Sequence, residues 1–448
     1  MRPVRTAEPV TAEVAAQKAA VLHFIDNAGV ARIKCVPAHR LEQLAGSGVG
    51  MSPIFGVLTT DDTHAAVPGL DACQGDLRLR PDLAAVRPLP GRPGWIWAPA
   101  DQYSQEGDPW AGCQRDFLRR MLAAASARGL TFLSAFELEW NAGWAEESGW
   151  RPLHSGPSHG AVLFPALQAH FDALFEDLAF AGIDVEHAHA EYGAGQLETA
   201  LGPTDPMVAC DVAALARQII HSRSAADGWQ ASFAPLASGP IGNGAHTHIS
   251  AWRDGRNLFA PDAHHVRMDP EGAAFLAGVL AELPALTAIG SPLRESYTRL
   301  RPGAWSGGWA CWGVENREAA LRLEGCAGPN APRSSNLEWK AVDGAANPYL
   351  AMGALIAAGL RGIEAGLDLP EPVEGDPANL DPDLRAAVAP RLPGDIDAAT
   401  DALEDSRTLR DALGDLLLDS IIATRRLEAS GTAELSHDQL RTRSQRRY

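Results

Sequence analysis

Lysine is almost missing from this chain: Lys18, Lys34 and Lys340 are its three lysines among 448 residues, while arginine is abundant. Beside the plentiful alanine, glycine and proline, that bias reads as the codon usage of a GC-rich genome. It also removes one class of phosphate site. A Gly-x-x-x-x-Gly-Lys loop needs its lysine directly behind glycine, and Lys34 and Lys340 follow Ile33 and Trp339. Cysteine pairs are lacking as well. The six cysteines, at 35, 73, 113, 210, 311 and 326, form no C-x-x-C unit, which suits a reducing cytoplasm better than a disulfide scaffold or a structural zinc site. A net charge of −18 argues against nucleic-acid binding, which needs a basic face. Long apolar runs are also absent. The opening "MRPVRTAEPVTAEVAAQK" has no signal-peptide core, and the longest apolar stretch, near "AMGALIAAGL", ends at Arg361, too short to span a bilayer. A soluble cytoplasmic protein is expected.

What is there belongs to a globular enzyme-sized chain. Apolar residues make up 46% and charged residues 21%, and the length calls for two unequal domains. "VLHFIDNAGVARIKCVP" predicts two strands around a turn at Asn27–Gly29. A boundary falls near 105–112, giving a domain over 1–108 and a larger one over 109–448. "LTFLSAFELEW" and "GIDVEHAHAEYGAGQLETAL" predict strands, whereas Leu167, Phe171, Leu174 and Leu178 recur at helical spacing. A helix is expected from "YLAMGALIAAGLRGIEAGL", a Pro/Asp-rich loop over 372–394, and a charged helical hairpin over 396–428.

Alternation on strands gathers the chemistry. "FELEW" places Glu137 and Glu139 on one face, and "HTH" does the same for His246 and His248. Glu191 and Glu198 flank a glycine-rich bend, and Glu338 lies within "NLEWK". Each item alone is ordinarily a solvated face or a structural histidine. Together, carboxylates facing one way repel unless a cation lies between them. Five glutamates and a histidine suit hard divalent ions such as Mg²⁺ or Mn²⁺. Two further motifs are weaker. "GPSHG" at 156–160 fits Gly-x-Ser-x-Gly but lacks the preceding buried strand that a nucleophile elbow requires. His187 and His189 share a face with Glu191 and are read as packed strand histidines, with a supporting role beside the carboxylates as the alternative.

In this order the motifs resemble the glutamine synthetase family: Glu-x-Glu, Glu…Gly-Gln-x-Glu, Gly-x-Gly-x-His-x-His-x-Ser, Arg-Leu-x-Pro-Gly, "WGVENREAALR" and "NLEWKAVDGAANPYL". The resemblance runs from about residue 20 to the C-terminus. It implies an α+β fold, with an N-terminal β-grasp-like domain ahead of a catalytic domain built on a curved antiparallel sheet. It also implies ATP as co-substrate and two or three Mg²⁺ or Mn²⁺ ions per site. Glu139, Glu191 and Glu198 would hold the ion nearer the amino acid, and Glu137, His246 and Glu338 the ion meeting the ATP phosphates. His248, Ser250 and Arg322 match nucleotide or phosphate positions, Arg299 the grip on the substrate carboxylate, Gly242 a loop contacting glutamate, and Arg317 the residue stabilising the transferring phosphoryl group. A homo-oligomeric ring, such as a dodecamer, is implied by the same resemblance.

The chain departs from that family at the ammonium site. Trp305 stands in the flap where an acid belongs, and Ser52 stands where a neighbouring subunit's acid belongs. Ile241, Asn336 and Lys340 replace an asparagine and two arginines, and lysine does not reproduce a bidentate guanidinium contact. An indole face attracts an alkylammonium by about 0.5–2 kcal/mol. The expected partners are therefore glutamate, ATP and a small organic amine, with ethanolamine first and polyamines second because the flap offers no acid for a second ammonium. An ordinary glutamine synthetase, a metal-dependent hydrolase and a catalytically silent relative are the rivals. "AGLDLPEPVEGDPANLDP" contains no tyrosine, so control by adenylylation is not expected.

Overall fold

The computed structural model describes residues 16–70, 75–146, 149–261 and 268–448. Cys73 and most of the N-terminal segment read above for a signal core lie outside them. Near the N-terminus, β1 (Ala19–Ile25) and β2 (Ala31–Pro37) form the predicted hairpin. Its turn needs glycine twice over. Gly29 has φ +79°, and a Cβ there would collide with the Ala345 carbonyl. Strands β3 (Val49–Met51), β4 (Leu77–Pro81), β5 (Arg87–Pro88) and β6 (Trp95–Tyr103) complete a six-stranded sheet in the order β2-β1-β6-β4-β3, with β5 on β6. The central β1–β6 pair is parallel, consistent with a grasp-like fold. Alternation divides its side chains between two cores. Ala20, Leu22 and Phe24 pack with Ile96 and Ala98 inside the small sheet's own cluster, whereas Val21, Ile25 and Trp97 join the main core.

The second sheet has ten strands. They are β7 (Thr131–Glu146), β8 (Gly149–Pro152), β9 (Val185–Ala190), β10 (Gln196–Leu201), β11 (Gln230–Ser232), β12 (Ala245–Arg253), β13 (Arg256–Asn257), β14 (Trp309–Val314), β15 (Ala319–Glu324) and β16 (Asn336–Trp339). The path β14-β15-β16-β12-β7-β10-β9, with β8 and β11 on β7 and β13 on β12, curls into a half-barrel. One pair, β14 with β15, is parallel, so the expected antiparallel sheet is antiparallel everywhere else. One face is apolar: Phe136, Leu138, Ile249, Leu321, Leu337 and Trp339 are buried there, and the helices Pro206–Ala226, Pro270–Gly290 and Pro348–Ala365 belong to the same core. The helical stripe of Leu167, Phe171, Leu174 and Leu178 is buried on the helix Phe164–Phe180, as its spacing predicts.

Three expectations need correction. The hairpin over 396–428 is three helices, Ile396–Asp405, Arg407–Leu413 and Asp415–Thr432. Ser406 caps the second by accepting from the Leu409 N–H, and Gly414 at φ +80° turns the chain into the third. The loop over 372–394 contains the short helix Pro382–Val388, started by the Asp381 side chain. Finally, among the described residues the helix long and apolar enough to cross a bilayer is Pro270–Gly290, not the one ending near Arg361. In it, 67% of the apolar window is buried inside the protein.

Candidate active site

Register on the half-barrel decides which polar side chains meet. Residues directly opposite on neighbouring strands share a face. His246 on β12 lies opposite Glu137 on β7, His248 opposite Glu338 on β16, Arg322 on β15 opposite Glu338, and Glu198 on β10 opposite Glu139 on β7. All therefore line the face that the apolar core does not take.

The tightest group is Glu137, His246 and Glu338, whose ligand atoms lie within 4.8 Å of one another. His246 Nδ1 is 3.2 Å from Glu137 Oε2 and 3.1 Å from Glu338 Oε1, and its Nε2 is 3.8 Å from Glu139. Burial opposes ionisation of Glu137, yet the hydrogen bonds from His246 and His248 hold it far below the usual carboxylate range. Glu338 is likewise buried, and the Lys340 ammonium at 2.9 Å, together with His246, keeps it well below that range. For His246, burial and Lys340 favour the neutral form, but Glu137 and Glu338 raise it overall. Across the lumen, Glu198 is pushed up to about 8 by burial and by the charges of Glu137 and Glu139. Carboxylates held on one face in this way fit a divalent cation, whose charge would offset their repulsion.

The other predicted residues divide into those drawn together here and those set apart. Arg299 is buried and its Nη2 donates to the Lys340 carbonyl at 3.1 Å, while its Nη1 has no hydrogen-bond partner. The glycine-rich loop lies flat on it: a Cβ at Gly242 would meet Arg299 Cγ at 2.8 Å. His248 Nδ1 lies 3.1 Å from Glu324 and 2.9 Å from the Asn336 side-chain oxygen, with Nε2 3.5 Å from Glu137. Against burial, Glu137 and Glu324 raise its pKa well above the ordinary histidine value. Arg322 spans Glu324, Glu338 and Glu315 at 2.8, 3.2 and 2.7 Å. Ser250 Oγ accepts the Trp252 indole N–H at 2.8 Å. Ser52 caps a short turn by accepting from the Ile54 N–H and touches none of these groups.

Glu139 and Glu198 are directly opposite on β7 and β10, and Glu191 shares His189 with Glu198. Glu191 Oε1 lies 2.9 Å from His189 Nε2 and 3.5 Å from His159 Nε2. The histidine reading is thus corrected: His187 and His189 are not packed into the core but open onto the carboxylate face, 52% and 18% exposed, each about 3.5 Å from Glu198. β9 runs at the sheet's edge, so its outward face has no layer to bury it.

The flap over 300–308 carries Trp305, 48% exposed, at φ +51°. Glu318 pins it by accepting the Gly303 and Trp305 N–H groups, both at 3.1 Å. The indole meets Tyr192 edge to face at 5.8 Å between centroids, and the Arg317 guanidinium sits 5.8 Å over its ring. Sequence reasoning missed His159, Glu318, Glu324 and Gln196. Gln196 alone carried a signal, as the glutamine of Gly-Gln-x-Glu. Its Nε2 donates to Glu139, the Gly242 carbonyl and the Asn243 side-chain oxygen, at 3.0, 2.9 and 3.0 Å.

A half-barrel lumen with clustered carboxylates, one imidazole among them and buried guanidinium groups defines an enzyme that handles anionic substrates with divalent cations. The chain belongs to the glutamine synthetase family: the glutamine synthetase catalytic-domain profile matches residues 111–443. It is accordingly an ATP-dependent ligase that forms carbon–nitrogen bonds, in a family that uses divalent metal ions. It is 46% identical to a gamma-glutamylpolyamine synthetase of Streptomyces coelicolor, over 93% of this chain and 91% of that one. With a gamma-glutamylethanolamide synthetase of the same organism it shares 31% identity over 78% and 75%. A crystal structure of a novel glutamine synthase homolog superposes with a TM-score of 0.84 at 31% identity, covering 96% of this chain and 99% of the other.

Proposed function

We propose that this ligase joins the γ-carboxyl of glutamate to an organic amine, a polyamine first and ethanolamine or another monoamine second. The observation that carries the reading is the Glu137–His246–Glu338 cluster beside the buried Arg299, whose free Nη1 is a donor for a substrate carboxylate. Glutamate's γ-carboxylate oxygen attacks the γ-phosphorus of ATP, ADP leaves, and an acyl phosphate forms. The amine nitrogen, having lost a proton, then attacks the acyl carbon and expels phosphate. Mg²⁺ or Mn²⁺ bound by the lumen carboxylates supplies charge neutralisation for the phosphoryl transfer. In this reading Arg317 leaves the indole to meet the transferring phosphoryl group, and Arg322 with His248 meets the nucleotide phosphates. Lys340 acts through Glu338 rather than on the acid substrate.

The order of amines expected from sequence is reversed for two reasons. The gamma-glutamylpolyamine synthetase shares more of this chain, at higher identity, than the gamma-glutamylethanolamide synthetase. An acid also stands behind the flap: Glu318, which accepts the Gly303 and Trp305 N–H groups. Trp305 and Tyr192 form an aromatic wall for the alkyl chain. The reading extends to a division into domains near residue 108, a homo-oligomeric ring and a cytoplasmic setting, the last supported by the free thiols of Cys35, Cys113, Cys210, Cys311 and Cys326.

Phosphate release with Mg²⁺, glutamate and a panel of amines, with products weighed by mass spectrometry, tests this. Turnover with polyamines should exceed that with ammonia, and Trp305→Ala should lower kcat/KM for the amine about 2- to 30-fold. Ammonia as the best substrate would sink the proposal and leave an ordinary glutamine synthetase.

A further inference from the structure

Across β12, β16 and β15, His248, Glu338 and Arg322 stand in one row, each opposite the next. Glu324 ends β15 on the same face as Arg322, because side chains alternate along a strand. Its two carboxylate oxygens divide between the two residues read above as meeting the nucleotide phosphates. Oε1 lies 3.1 Å from His248 Nδ1, and Oε2 lies 2.8 Å from Arg322 Nη1. Among the described residues, no other carboxylate forms an ion pair with both. A carboxylate that bridges a guanidinium and an imidazole takes up the donors that two oxygens of one phosphate group would use.

We infer that Glu324 is a built-in stand-in for a nucleotide phosphate: it holds Arg322 and His248 while no nucleotide is bound, and the incoming phosphate displaces it. The inference rests on the assignment of those two residues to the nucleotide. Both keep other supports when the carboxylate leaves. Arg322 Nη1 retains Glu338 at 3.2 Å and Nη2 retains Glu315 at 2.7 Å, while His248 Nδ1 retains the Asn336 side-chain oxygen at 2.9 Å. Arg322 Nε, buried without a hydrogen-bond partner, is a further donor for the phosphate. Glu338 does not suit this part, because its side chain is 1% exposed and Lys340 holds it at 2.9 Å. Glu324 is 21% exposed and stands at a strand end, so its side chain has water to turn into. Each charged hydrogen bond that the phosphate gains is one that the carboxylate loses. Nucleotide binding is therefore weaker than the donors alone would make it, and ADP leaves more readily for the same reason.

The test measures MgADP binding by calorimetry on the full-length protein in saturating Mg²⁺, for wild type, Glu324→Gln and Glu315→Gln. Glutamine keeps the shape of Glu324 and removes its charge. Glu324→Gln should bind MgADP about five- to tenfold more tightly than wild type, and its KM for ATP should fall more than its KM for glutamate. Glu315→Gln should gain less, because Glu315 is 51% exposed and pairs with Arg322 but not with His248. Unchanged or weaker binding by Glu324→Gln would overturn the inference and leave Glu324 as a fixed support for the two residues. Equal gains in both variants would overturn it too, since any lost negative charge would then serve. Absence of MgADP binding by the wild type would instead sink the nucleotide assignment, and the inference with it.

Discussion

Lys340 and Glu338 face each other at 2.9 Å with side-chain exposures of 3% and 1%. Neither charge is tolerable there alone. Removing one partner of such a buried pair costs about 3–5 kcal/mol, because the other is left uncompensated. Arg322 and His246 soften that loss for Glu338 but do not replace an ammonium two residues further along the chain. Lys340→Met should therefore lower the unfolding free energy by about 3 kcal/mol in metal-free protein. If Glu338 also meets a cation, saturating Mg²⁺ should recover part of the deficit, since the ion supplies the missing positive charge. Urea denaturation of both proteins with and without Mg²⁺ reads this directly. A deficit unchanged by Mg²⁺ would place Glu338 outside the ion's reach.

Among the elements, the long helices Pro270–Gly290 and Pro348–Ala365 cross where both carry glycine. A Cβ at Gly278 would strike the Ala358 carbonyl and approach the Gly362 Cα at 2.7 Å. In an isolated helix, Gly→Ala gains about 1 kcal/mol. Here overpacking reverses the sign: Gly278→Ala should destabilise by about 1–3 kcal/mol, seen as a lowered urea midpoint at constant m-value. A stabilised variant would mean that the crossing yields without strain. This contact was not legible in the sequence, because nothing in "AFLAGVLAEL" says which helix faces Gly278. Elements with a clean period were legible: the alternation of β7 and β12 and the stripe of Leu167, Phe171, Leu174 and Leu178. Ser406 and Gly414 punctuate the C-terminal helices, but amphipathic spacing runs through both, so one hairpin was expected where three helices form. The lumen residues on strands were legible for the same reason as the strands. His159 was not, since it reaches Glu191 through a loop and only the fold brings it to β9. Glu318 sits between Arg317 and Ala319 with no pattern to mark it as the flap's anchor.

On the scale of the whole molecule, β1 joins two cores, and His23 occupies the side shared with the main one. It is 2% exposed, tilted against Trp97 at 5.2 Å between centroids, and its Nδ1 has no partner. Burial, with a smaller contribution from the Arg217 charge, drives its pKa down to about 3. The folded protein therefore keeps this imidazole neutral while the unfolded chain binds a proton near pH 6.5. Its share of stability is complete above that pH and is lost as pH falls toward the folded value. By about pH 4.5 the loss amounts to about 2–3 kcal/mol. Asp26 and Asp343 act the other way, since burial raises both to about 6 despite Arg32 and Arg299 respectively. Their ionisation costs the fold above that pH, and stability returns as they protonate, so a single wild-type profile mixes opposing slopes. A variant separates them. The stability lost between about pH 7 and about pH 4.5 should be smaller in His23→Leu by about 2–3 kcal/mol, measured by denaturant unfolding at each pH. Equal losses in the two proteins would show that His23 takes up its proton inside the fold, with the β1–β6 junction opening to admit it.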